Sequence, residues 1–208
     1  MIQKGSLVSF EGGEGAGKTT QVKLLAERLR EHGKEVVVCR EPGGTEIAEQ
    51  IRQVVLSTHN RGMDERAELM LFMAARAQLF AEIVKPALSE GKIVLADRSR
   101  DSSVVYQGVR GLEAEFIETL NDLVMENVKP EVTFLLDVPV EVGLKRYLDI
   151  NRFEREDGGF HEKVRQAYLR LAEKEPERWV VIDGTKSIEV VAEEVWGEVR
   201  KRMKLRAS

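Results

Sequence analysis

Short apolar runs at residues 7–10, 36–39, 93–96, 132–136 and 180–182 alternate with longer stretches whose apolar positions recur at helical spacing. Runs so short and unbroken read as strands buried on both faces. Strands separated by helices pair in parallel, because each crossover returns the chain to the same end of the sheet. The pattern predicts an α/β fold, a five-stranded parallel sheet flanked by helices.

The clearest helix follows the first run. Val22, Leu24, Leu25 and Leu29 supply its apolar stripe, Lys23, Glu27, Arg28 and Arg30 its solvated side, and Gly33 its end. Further helices are expected over 65–88, 113–125, 140–146, 161–173 and 188–203. Right-handed crossovers gather the loops beginning at Glu11, Arg40, Asp97, Asp137 and Asp183 along one edge of the sheet. Residues 147–159 break the pattern: they are highly charged and end in Gly158 and Gly159. They read as a lid, about residues 147–160, on a single domain covering residues 1–208.

Size and composition narrow the picture. A chain of 208 residues with 42% hydrophobic content can bury a full core as one domain. Cys39 is its one cysteine, so neither an intrachain disulfide nor a thiolate zinc site is available. No apolar stretch approaches bilayer length, and residues 1–5 lead directly into the first strand, so a cytoplasmic chain without leader or anchor is expected. The net charge of −4 offers no general attraction to a nucleic-acid polymer. Lys201, Arg202, Lys204 and Arg206 are expected to solvate the last helix and oppose its dipole.

The chemistry is concentrated between the first strand and the first helix. Gly12, Gly13, Glu14, Gly15, Ala16, Gly17, Lys18 and Thr19 complete GxxxxGK followed by Thr, with Thr20 next. Gly12, Gly15 and Gly17 let successive amides turn toward an anion at a helix N-terminus. Lys18 neutralises the β/γ-phosphates, and the Thr19 hydroxyl is placed for Mg2+. The GxGxxG spacing of a dinucleotide loop does not organise this segment. Asp97 and Asp137 end apolar strands and could approach a hydrated magnesium. Asp97 is favoured because Arg98 follows it.

A second basic turn, Arg40 to Thr45 with Pro42 between, follows the second strand, and its guanidinium suits a phosphate. Phe72 and Arg76, four apart, share a helical face from which a ring could stack on a base and a guanidinium reach its carbonyl. To this point another small-molecule kinase and a nucleotide-dependent switch also fit.

The ordered set is more specific than its parts. The stretch 10–21, the turn 40–45, Leu71–Phe72 to Arg76, Asp97–Arg98, Ser102–Ser103, Tyr106 to Gly108, Arg152 to Glu154 and Val181 to Asp183 together resemble bacterial thymidylate kinases over nearly the whole chain. That resemblance implies the P-loop fold of the nucleoside monophosphate kinase type and reversible transfer of the γ-phosphoryl group of ATP to dTMP, giving ADP and dTDP. It implies that Lys18 binds donor phosphate, that Thr19 supports magnesium, and that Glu14 lies near the acceptor sugar. Arg40 and Arg98 would hold the acceptor phosphate, Phe72 would stack on thymine, Arg76 would address its carbonyl edge, Ser102 would help bind the base, and Gln107 would be a further substrate-binding residue. Tyr106 would favour the deoxy sugar. Arg152 is the expected lid arginine, with Arg146 and Arg155 as alternatives, and Arg146 is also expected beside adenine near residues 185–187. Ser99 stands where the family usually has an aromatic or histidine, and the lid lacks the usual Arg-Gly-Glu-Leu-Asp-Arg form. A homodimer built through the 65–88 and 113–125 helices is implied as well.

Overall fold

The computed structural model describes residues 5–146, 152–153 and 156–203. Five parallel strands, β1 (Ser6–Glu11), β2 (Val36–Arg40), β3 (Ile93–Asp97), β4 (Val132–Asp137) and β5 (Trp179–Asp183), pair in the order β2-β3-β1-β4-β5. The expected runs all lie inside them. Registers such as Phe10 opposite both Asp97 and Phe134 bring the strand ends level, so the loops that follow share one edge.

The two-residue period divides the strands between two cores. Val8, Phe10, Leu95, Phe134 and Leu136 face one layer, made by α1 (Lys18–Glu31) and α9 (Ile188–Arg202) through Leu25, Leu29, Val195 and Trp196. Leu7, Val94 and Ala96 face Leu79, Phe80 and Val84 on the other side, and Leu135 meets Tyr168 and Trp179 there. Phe10 and Phe134 stack with centroids 5.1 Å apart at the middle of the sheet.

Two helices escape the periodicity. α2 (Glu46–Leu56) keeps Ala48 and Val55 buried but leaves Ile47 and Val54 largely exposed. It is held at its start by Thr45, whose hydroxyl accepts from the Ala48 amide at 3.3 Å. α5 (Arg100–Val109) buries Asp101, Ser103 and Gln107 among its apolar residues, so no hydrophobic stripe announces it. The helix expected over 65–88 is α3 (Glu65–Leu79), a π-helical turn (Phe80–Val84) and α4 (Lys85–Ser89). Pro86 has no amide to give to the preceding turn, and the wider turn lies just before it.

The remaining helices are α6 (Ala114–Val124), α7 (Val140–Arg146) and α8 (Gly158–Lys174). α8 starts earlier than expected because the Asp157 carboxylate accepts from the Phe160 amide at 2.8 Å. α7 crosses directly over the loop after β1. A Cβ on Gly15, whose φ is +67°, would overlap the Gly143 carbonyl, and a Cβ on Gly143 would overlap the Glu14 carbonyl. Among the described residues no helix is long and apolar enough to cross a membrane.

Removing the stacked ring at the sheet centre (Phe134→Ala) is expected to cost about 3–5 kcal/mol, whereas removing the α2 cap (Thr45→Ala) costs about 1 kcal/mol. Urea unfolding of the two variants checks the contrast.

Candidate active site

A cavity of about 630 Å3 runs along the carboxyl edge of the sheet, from the loop after β1 to the walls formed by α3 and α5. Residues 14–20 line its floor. Gly12, Gly15 and Gly17 have φ of 140°, 67° and 92°, the region in which side chains are strained. The Lys18 ammonium is buried and donates to the carbonyls of Gly12 at 3.1 Å and Gly13 at 2.7 Å, which holds it against the loop. Burial, with Arg98 nearby, pushes its pKa down to about 8.

The two strand-end aspartates have different partners. Asp137 is clamped by Arg165 through bonds of 2.7 and 2.8 Å. Asp97 lines the cavity and accepts a short bond from the Thr19 hydroxyl, so two side-chain oxygens stand together beside the glycine-rich loop.

Arg98 occupies a left-handed backbone conformation, φ 69°, unusual for a residue with a side chain. Its guanidinium donates to Glu14 at 2.6 Å and to the Gly12 carbonyl at 3.0 Å, and lies 5.1 Å over the Tyr106 ring. Burial alone would raise the Glu14 carboxyl, but Arg98 and Lys18 hold it below the ordinary range. Tyr106 donates to the same carboxylate at 3.0 Å. Beneath this layer the wholly buried Glu11 accepts from the Ser99 amide at 2.8 Å, Ser102 at 2.6 Å and Tyr168 at 2.9 Å. Burial and the nearby Asp101 push its carboxyl up to about 7.

Arg40 also lines the cavity, half exposed and paired with Glu49 at 2.8 Å. Arg52, which the sequence pattern did not single out, lines it too and donates to the Pro42 carbonyl at 2.7 Å. The opposite wall is aromatic: Phe72 and Phe153 lie 5.9 Å apart, and Tyr106 meets Phe153 edge-on at 5.7 Å. Ser102, Ser103 and Gln107 complete this wall.

Arg76 and Arg152 are placed behind the walls. Arg76 is 2% exposed and bonds Glu41 at 2.6 Å, Asn121 at 2.7 Å, Ser103 at 3.0 Å and the Ser99 carbonyl at 3.2 Å. It supports the floor of the wall that was expected to use it directly. Arg152, expected over the phosphates, is buried and bonds Glu68 at 2.6 Å and the Val55 carbonyl at 3.1 Å. Releasing it would leave a buried carboxylate short of a donor. Arg146 does line the cavity, bonded to the Gly184 carbonyl at 3.0 Å beside Lys186 and Ser187. Arg155 and half of the expected lid, residues 147–151, 154 and 155, lie outside the described residues. Glu11 and Glu68 read in sequence as ordinary charged positions. Glu11 could have been found from its place directly before the glycine-rich loop, whereas Glu68 carries no such signal.

The cavity thus has a loop of backbone amides and a lysine at one end, guanidinium groups near its middle and an aromatic wall at the other. Such a site can align two anionic ligands and offset their repulsion.

Known proteins match this arrangement closely. The thymidylate kinase family model matches residues 10–195. The thymidylate kinase of Geotalea uraniireducens (strain Rf4) is 50% identical over 209 residues, covering 96% of this chain and 98% of that protein. That of Pseudomonas putida (strain GB-1) is 45% identical over 195 residues, covering 92% and 93%. The solved thymidylate kinase of Ehrlichia chaffeensis superposes with a TM-score of 0.78 at 37% identity, covering 94% of this chain and 99% of that one. With the phosphate loop, the second cationic group and the aromatic wall joined in one cavity, the chain belongs to the thymidylate kinase family.

Proposed function

We propose that this chain phosphorylates dTMP to dTDP with ATP as donor. The observation that carries the reading is the single cavity joining the loop at residues 14–20 to Arg40, Arg98 and the Phe72 wall in a member of this family. An oxygen of the dTMP phosphate attacks the γ-phosphorus in line as the bond to ADP breaks. The loop amides and Lys18 hold the donor. Arg40 and Arg98 hold the acceptor phosphate, and Glu14 meets the sugar while orienting Arg98. Phe72 stacks on thymine, and Tyr106 closes the sugar pocket against a 2′-hydroxyl. Ser102 and Gln107 stand at the base, and Arg76 acts through the wall it supports.

Thr19 and Asp97 offer adjacent hard oxygens, which suit a small divalent ion sharing the donor phosphates. Mg2+ bound there would draw charge from the phosphoryl oxygens. In this reading Arg146 supplies the cation beside the donor, and Arg152, within the lid, anchors it to Glu68 on α3. The domain is residues 1–208 with a lid at about 147–160. Two copies pair through α2, α3 and α6, a reading supported by the exposed Ile47, Val54, Met70, Phe116 and Leu123 on these packed helices. The setting is cytoplasmic, which suits a single buried thiol and the use of ATP.

A panel of nucleoside monophosphates with ATP and magnesium, read by product separation, should yield chiefly dTDP. Turnover of GMP or AMP with none of dTMP would overturn the reading. Lys18→Ala is expected to lower kcat by about 10²–10³-fold and Arg146→Ala to lower it less, while Arg40→Ala chiefly raises KM for dTMP.

Because Lys18 is charged below about pH 8 and neutral above it, ATP affinity of the free chain should fall as pH rises through that value. Titration calorimetry across the range checks this. Lys18→Arg, which stays charged, should give a flat profile.

Introducing a charge on the exposed apolar face (Leu123→Asp) should shift sedimentation toward the monomer. An unchanged sedimentation coefficient for this variant and for Phe116→Asp would remove this face as the contact.

A further inference from the structure

Arg40 ends β2 on the rim of the cavity, where its side chain is 47% exposed. A long cation in that setting has no fixed direction of its own. Glu49 on α2 supplies one: its Oε1 accepts from Arg40 Nη2 at 2.8 Å and from the Gly44 amide at 2.7 Å. One atom thus ties the side chain to the turn that follows its own strand. Burial acts to raise the Glu49 carboxyl, but the Gly44 amide and Arg40 hold it below the ordinary range, so it is ionised at neutral pH.

The turn is shaped around this oxygen. Gly43 has a φ of 125°, and a Cβ there would overlap Glu49 Oε1 and press on Arg40 Nη1. Arg52, one helical turn after Glu49, donates to the Pro42 carbonyl at 2.7 Å, so α2 grips the turn at two points. Glu41, next to Arg40 in the chain, pairs instead with Arg76 on α3. Among the described residues Arg40 is bonded through Nη2 alone, which leaves the rest of its planar fork for an anion. A pair this exposed contributes little to stability, so its effect lies in where it holds the guanidinium.

We propose that Glu49 is a positioning residue for the acceptor: it fastens the Arg40 guanidinium to the Gly44 turn, so that the acceptor phosphate meets a cation already aimed. The inference rests on Arg40 being a phosphate ligand of the dTMP site and deepens that reading. Glu49 stands behind Arg40, outside the cavity lining, and touches no substrate. Ordering a long side chain before the ligand arrives removes a cost that binding would otherwise bear.

The test is titration calorimetry with dTMP and with thymidine, which carries the same base and sugar but no phosphate. It compares the unaltered chain, Glu49→Ala, Glu49→Gln, Arg40→Ala and the double variant Arg40→Ala with Glu49→Ala. Glu49→Ala should weaken dTMP about 3- to 10-fold, the range set by immobilising one long side chain, and leave thymidine affinity and KM for ATP unchanged. Glu49→Gln keeps an acceptor oxygen and should fall between Glu49→Ala and the unaltered chain. In the double variant the loss should equal that of Arg40→Ala alone, because Glu49 acts only through that group. Unchanged or tighter dTMP binding in Glu49→Ala, equal losses for dTMP and thymidine, or losses that add in the double variant overturn the Glu49 inference alone. Failure of Arg40→Ala to weaken dTMP overturns the phosphate role beneath it, and failure of the unaltered chain to phosphorylate dTMP overturns the whole reading.

Discussion

The guanidinium of Arg98 between Glu14 and the Gly12 carbonyl is the contact on which the cavity depends. A long cation lining an open cavity has to be kept from drifting by its own neighbours. Glu14 holds it from the phosphate-loop side, Tyr106 lies beneath its face, and Ser102 and Tyr168 approach from two helices. Its left-handed backbone turns the chain abruptly after β3 and brings the group back over β1. A long flexible cation is thereby converted into a fixed one, so little ordering is left for ligand binding to bear.

The same logic extends below it. Glu11, Glu41, Glu68 and Asp101 are buried carboxylates: Glu41 is met by Arg76, and each of the others by several donors. Arg178, for example, grips Asp101 with two bonds of 2.6 and 2.9 Å. Burial makes such groups costly when unpaired, and removing one partner of such a pair costs about 3–5 kcal/mol. These pairs therefore hold α3, α5 and α8 against the sheet in one arrangement, and the cavity walls inherit that rigidity.

This explains what the amino-acid order reveals and what it conceals. The strands were legible because apolar runs such as 132–136 have no other stable use, and the phosphate loop because Gly15, Gly17, Lys18 and Thr19 follow one of them directly. α2 was hidden because Ile47 and Val54 do not face the core, so its apolar positions report another surface. α5 was hidden because Asp101, Ser103 and Gln107 occupy inward positions where a stripe would show. Arg76 and Arg152 were found as special residues, but their partners could not be named. An arginine at a given spacing looks the same whether it meets a ligand or a buried Glu41 or Glu68.

The contact between Gly15 and Gly143 carries a lesson for anyone altering this chain. Neither position has a side chain to surrender, so enlargement at one cannot be compensated by trimming the other. The pair behaves as one hereditary unit shared by distant parts of the gene, and stiffening α7 has to be sought on its outward side instead.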